Sequence, residues 1–164
     1  MLTRAMQELL NDQIKHEFAS AYLYLAMSAW CEAQTLPGLA KWLRLQSQEE
    51  AGHALKLFDH MNDRGARVLL RAIEQPHSDF KSPLDVFQEV LEHERKVTGS
   101  IHQLYAQALQ DNDYASQAML QWFITEQVEE EKRAAEVVAQ LKLIGDAGPA
   151  LLMLDRQMAA RAAD

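Results

Sequence analysis

The sequence predicts an all-α protein: a four-helix bundle with one long crossover, followed by a short fifth helix. Three observations carry this. Apolar residues recur at steps of three and four along four stretches of about 27 to 31 residues. No stretch shows the strict alternation of a strand. The four prolines and six glycines sit mostly where those stretches stop.

The first helix is predicted over 4–33, and "TLPG" separates it from a second over 37–64, with Gly65 as its C-terminal cap. Residues 66–81 lack periodicity and contain Pro76, so they read as a connection. Ser82 as N-cap and Pro83 at the first helical position start a third helix over 83–110. "DND" is a short loop before a fourth helix over 114–144, which stops at Gly145. "GDAGP" leads into the fifth, 149–162. The short connections imply antiparallel neighbours. The long one, about 16 residues, can run the length of helices roughly 40 Å long. The whole chain, 1–164, reads as one domain.

Net charge is −8 and the isoelectric point about 5.2, which disfavours nucleic acid and anionic membranes as partners and suits cations. Cys31 is the only cysteine, which fits a reducing cytoplasm. The N-terminal stretch has no signal-peptide core, and the most apolar run, "ASAYLYLAMSAWC", is too short to span a bilayer.

Each long helix threads an inward seam, and a carboxylate interrupts each seam near its middle. The first reads Leu10, Ile14, Glu17, Ala21, Tyr24, Ser28, Cys31, and the second Leu39, Leu43, Gln46, Glu50, His53, Leu57, His60. The third reads Leu84, Phe87, Leu91, Glu94, Thr98, Ile101, Tyr105, Ala108. The fourth reads Leu120, Phe123, Gln127, Glu130, Ala134, Val137, Leu141. Burying an unpaired carboxylate costs several kcal/mol, against a total stability of roughly 5–15 kcal/mol. These groups are therefore protonated, paired with arginine, or bound to metal. No arginine or lysine lies on the seams, so metal is the economical reading.

An internal repeat supports it. Glu50 follows Glu17 by 33 residues, and Gln127 follows Glu94 by 33. Each helical hairpin thus offers a lone glutamate and an i, i+3 pair, Glu50/His53 in one and Gln127/Glu130 in the other. Paired glutamates with Glu-x-x-His motifs on facing helices form di-metal sites in bundles. Carboxylate and imidazole ligands suit iron, manganese or zinc without choosing among them.

The stretches "HEFASAYLYLAMSAWC", "QEEAGHALKLFDHM", "EHERKV", "LQWFITEQVEEEK" and "GPALLMLD" resemble the bacterial non-haem ferritins over essentially the whole chain. The resemblance implies a ferritin-like fold and a ferroxidase that oxidises Fe(II) with O₂ or peroxide, storing ferric mineral in a homo-oligomeric cage of 24 subunits. It assigns Glu17, Glu50 and His53 to one iron, with Glu50 bridging, and Glu94 and Glu130, with Gln127 beside them, to a second. It assigns Glu49, Glu126, Glu129 and Glu130 to a third iron nearby. It gives Tyr24 an electron-donating role beside the centre and places Trp122 close by. The position matching the haem-binding methionine of bacterioferritins is Gly52, so no haem is expected. Gln117 and Leu120 stand where animal heavy-chain ferritins carry acidic channel residues, which leaves the route by which iron enters open. A rubrerythrin-type di-iron oxidase or peroxidase is the alternative, but its second Glu-x-x-His pair and cysteine site are missing. The family implies that the fifth helix packs with copies of itself around a four-fold axis, with packing on its own bundle as the other arrangement.

Elsewhere the residues read as structural. Glu131 is expected on a solvated face near Lys132, His60 in the core, and His16, His77, His93 and His102 at the surface. Cys31 is expected to be a buried thiol.

Overall fold

The structure, a computed structural model, describes residues 1–161. Five helices form: α1 (Arg4–Ala33), α2 (Pro37–Asp63), α3 (Pro83–Gln110), α4 (Tyr114–Ile144) and α5 (Gly148–Met158). Ser82 caps α3 as expected, accepting from the Asp85 amide at 3.1 Å ahead of Pro83. Thr3 and Asp113 cap α1 and α4 in the same way, each satisfying an amide that the helix itself leaves open. Gly65 and Gly145 take positive φ, while Thr35 and Asn112 do so in the two tight turns.

The core explains the crossover. One apolar cluster contains Met27 and Cys31 of α1, Leu39 and Leu43 of α2, Phe87 and Val90 of α3, and Val137 and Leu141 of α4. A second contains Met6, Leu10, Ile14, Leu57, Ile101, Leu104, Leu120 and Phe123. Both α2 and α3 run from the first cluster towards the second, so they are parallel, and residues 64–82 must return along the bundle. That segment is tied to α1: the Leu69 amide donates to Asn11 at 2.7 Å, and Arg71 pairs with Glu8 and Asp12.

Between the clusters lies a polar layer from all four long helices. On α1 and α4 every expected seam residue is buried. On α3 the stripe is rotated from expectation. Val86, Val90, Val97 and Leu104 are buried, whereas Leu84, Leu91, Thr98 and Tyr105 are only partly so. Apolar residues flank both sides of the shared positions Phe87, Glu94, Ile101 and Ala108, and packing against the neighbouring helices decides between the two flanks.

α5 docks on its own bundle through Leu154, Asp155 and Met158. α2 lacks a side-chain cap of its own, and Asp155 supplies one by accepting from the Leu39 amide at 2.9 Å. The approach is close enough that a Cβ on Gly38 would overlap the Asp155 carbonyl oxygen. α5 ends at Met158 rather than at 162, which lies outside the described residues. A tight turn follows instead, in which Ala160 and Arg161 donate backward to Gln157 and Met158. Among the described residues no helix is long and apolar enough to cross a membrane.

Candidate metal centre

Glu17, Glu50, Glu94 and Glu130 are each 1% exposed and meet in the polar layer with His53 and Gln127. Every one of these residues was expected there from its spacing. Their hydrogen bonds follow a pattern. Gln13 donates to Glu17 Oε1 at 2.7 Å, leaving Oε2 without a partner. Gln46 Nε2 reaches Glu130 Oε2 at 2.7 Å and Glu50 Oε1 at 3.3 Å, leaving Glu130 Oε1 and Glu50 Oε2 without one. His53 Nδ1 is also unbonded. Glu17, Glu50 and Glu130 therefore each have one oxygen anchored by an amide and one without a hydrogen-bond partner. Buried polar atoms are almost always hydrogen-bonded, so a group of orphans is unusual in a core.

The free atoms converge. Glu17, Glu50 and His53 each offer a ligand atom within 4.8 Å of the others, and so do His53, Glu126 and Glu130. The first set is the expected first site. In the second, Glu126 joins Glu130 and His53. Glu94 falls in neither set, and both its oxygens are engaged: Tyr24 donates to Oε1 and Gln127 to Oε2 at 3.2 Å. Gln127 also donates to the Glu94 carbonyl at 3.2 Å, which ties α4 to α3 across the layer.

Without a cation the layer resists ionisation. Burial, then repulsion from Glu50, raises the Glu17 pKa well above the ordinary carboxylate value. Burial and Glu94 do the same to Glu50. Burial lifts Glu94 to about 7 even though Tyr24 and Gln127 favour its anion. Burial, Glu94 and Glu49 lift Glu130 to about 8 against Arg133 and Gln46. Tyr24 is fully buried and its phenol is raised by burial and by Glu94, so it stays protonated and donating. Trp122 lies edge-on to His53, ring centroids 5.3 Å apart, with Lys56 Nζ 4.0 Å from the Trp122 centroid.

The expected third group is not assembled in the same way. Glu49 Oε2 accepts from Arg161 at 2.6 Å and lies 4.0 Å from Arg133. Glu129 faces solvent and pairs with Arg133 at 3.3 Å, and Arg133 also lies 3.7 Å from Glu130. Arginine thus approaches the layer from beside the seams. Two surface expectations are also corrected. His93 is packed edge-on to Tyr24 at 5.7 Å and hydrogen-bonds Ser20 at 2.7 Å, and burial lowers its pKa to about 4. Glu131 accepts from Thr98 at 2.6 Å rather than facing Lys132, which pairs with Glu136. His60, expected in the core, is half-buried and meets Ser116 at 2.9 Å, and Cys31 is buried.

Sequence reasoning gave no role to Gln13 or Gln46. A signal was present: Gln46 follows Gln13 by 33 residues, so the repeat that relates Glu17 to Glu50 includes the amide one turn before each.

A bundle with one long crossover, whose middle layer gathers glutamates and a histidine from its helices, is of the class that builds paired metal sites in its core. Residues 7–144 match the ferritin-like domain, and the chain belongs to that family. It is 39% identical over 164 residues to a bacterial non-heme ferritin of Staphylococcus aureus strain USA300, covering 100% of this chain and 99% of that one. It is 38% identical over 158 residues to a probable bacterial non-heme ferritin-like protein of Haemophilus influenzae, covering 96% of each. Among solved structures, an open-pore ferritin of the archaeon Archaeoglobus fulgidus superposes with a TM-score of 0.98 at 46% identity, over 99% of this chain and 100% of that one. A closed form engineered from that ferritin superposes equally well at 45% identity.

Proposed function

We propose that the protein is a cytoplasmic ferroxidase and iron store. Fe(II) is its substrate, oxidised by O₂ or peroxide at a di-iron centre within each subunit and deposited as ferric mineral inside a cage of 24 copies. The observation that carries this is the convergence of unbonded Glu17 Oε2, Glu50 Oε2, Glu130 Oε1 and His53 Nδ1 in one buried layer. A pair of cations would satisfy all of them, and the family makes iron the cation of choice.

Glu17, Glu50 and His53 hold one iron, and Glu94 and Glu130, with Gln127, hold the other. Two adjacent Fe(II) ions supply two electrons, which together with two protons reduce O₂ to H₂O₂, or H₂O₂ to two waters. Gln13 and Gln46 aim the free oxygens by holding the other oxygen of each carboxylate. Tyr24 is placed to give a further electron, because its phenolic proton already points at Glu94. Glu49, Glu126 and Glu129, sharing Glu130, form a third iron position, and no haem is used.

Aerobic Fe(II) loading of metal-free protein, with soluble iron counted per chain after gel filtration, tests the reading. Tens of irons per chain are expected. Two or three, with no growth on further addition, would mean a di-iron enzyme that does not store. None would overturn the metal centre itself.

A further inference from the structure

Arg161 lies beyond α5, yet its guanidinium makes four contacts on α2. It donates to Glu49 Oε2 at 2.6 Å, to Gln46 Oε1 at 3.1 Å and to the Trp42 carbonyl at 3.4 Å, and it sits 4.5 Å from the Trp42 ring centroid. The Arg161 and Glu49 side chains are only 13% and 17% exposed, so water screens this pair weakly. Gln46 is the amide that anchors Glu50 and Glu130. Holding Gln46 by its oxygen fixes which way its NH₂ points, towards those two carboxylates.

We propose that Arg161 is a built-in competitor for the third cation position: it holds Glu49 Oε2 and sets a positive charge beside the unbonded Glu49 Oε1, so a third metal ion binds tightly only when residues 159–161 swing away. This rests on the iron-centre reading and concerns the step after the first two ions are bound.

Three features make the displacement feasible. Among the described residues, the hydrogen bonds that hold the segment to α2 are these and one from Lys41 Nζ to the Ala159 carbonyl at 2.7 Å. A groove of about 260 Å³ beside Trp42, Arg133 and Gln140 gives the guanidinium somewhere to go. The position of α5 depends on one glycine, since Gly38 lets Asp155 close onto the start of α2.

The test is calorimetric titration of metal-free protein with Zn(II), which binds such ligands without redox chemistry. Wild type is expected to bind two ions per chain tightly and a third weakly. Arg161→Gln is expected to tighten the third about tenfold, a change of the size seen when a partner of a metal ligand is altered, while the first two ions still bind. Arg161→Lys, which keeps the charge, stays near wild type. Glu49→Gln in the Arg161→Gln background cancels the gain. Gly38→Ala, which pushes α5 off without touching Arg161, reproduces it. In wild type, hydrogen exchange over 156–161 speeds up on addition of the third equivalent and not before. Equal third-ion affinity in wild type and Arg161→Gln, or unchanged exchange over 156–161, overturns the proposal while the centre stands. Failure to bind the first two ions overturns the centre as well.

Discussion

The inner carboxylates Glu17, Glu50 and Glu130 and the outer ones Glu49 and Glu129 carry the same functional group in one bundle, yet their charges are met differently. Among the described residues, Glu17 and Glu50 pair with no arginine or lysine, Glu130 has Arg133 at 3.7 Å, and each keeps one oxygen without a hydrogen-bond partner. The outer ones have arginines, Arg161 on Glu49 and Arg133 on Glu129. Depth makes the difference. At the rim a long arginine can reach a carboxylate while its stem packs on apolar surface. Deeper in the layer, only Arg133 comes near, at 3.7 Å from Glu130, and Glu17 and Glu50 are left to protons or to a compact cation. Identical residues thus stay open to a cation or become salt-bridge partners according to which counter-charge reaches them.

The largest expected break in this comparison is Glu50→Ala, which removes a proposed ligand atom at the heart of the layer. Initial Fe(II) oxidation should fall by about 100-fold or more, exceeding what loss of an outer partner costs. A loss of less than a few-fold would put Glu50 in the same category as the rim residues. Gln46→Leu should come next. It leaves all ligands in place but frees Glu50 and Glu130 to turn, so affinity for Zn(II) should drop by roughly 10-fold or more; unchanged affinity would mean that the amide anchors nothing.

The metal-free state sharpens the contrast further. Glu17→Met replaces a buried acid by an apolar residue of similar length, and should stabilise the metal-free protein by about 1–4 kcal/mol in denaturant while weakening metal binding. Destabilisation would show that the acid is already well paired without metal. The pH dependence has a definite sign. The folded protein holds Glu94 to about 7 and Glu130 to about 8, above the ordinary 4.5, so between those limits it binds more protons than the unfolded chain. This contribution to stability is complete below pH 4.5 and is lost as pH rises through about 8. Denaturant midpoints of metal-free protein should fall over that window, and saturating Zn(II) should remove the fall. A midpoint that rises with pH would contradict the raised carboxylates.

The smallest effect belongs to the rim. Glu129→Ala loses one exposed pair with Arg133, worth roughly 0.3–0.5 kcal/mol, and should barely change initial oxidation. Glu130→Ala should reduce it far more, because Glu130 is buried and shares Gln46 with Glu50. Equal rates in the two variants would erase the distinction between layer and rim.

Much of this was legible along the chain. The seams of α1 and α4 were readable because inward positions on a straight helix follow from spacing alone. The six residues of the layer were readable because an acid at a core position is costly wherever it occurs. The seam of α3 was not, since two flanks were equally apolar and only the neighbouring helices choose between them. The placement of His93 was missed because its cover comes from Ser20 and Tyr24, some seventy residues earlier in the chain.

The sequence by itself determined the helices, the long crossover between parallel α2 and α3, and the level at which the carboxylates meet. All three rest on local periodicity and on the 33-residue repeat. Only the tertiary structure decided which carboxylate oxygens stay free, that Tyr24 and Gln127 close both oxygens of Glu94, and that Arg161 lies on Glu49 across 112 residues of sequence. Hydrogen-bond partners of that kind are set by distances between helices, and no regularity within a single helix encodes them.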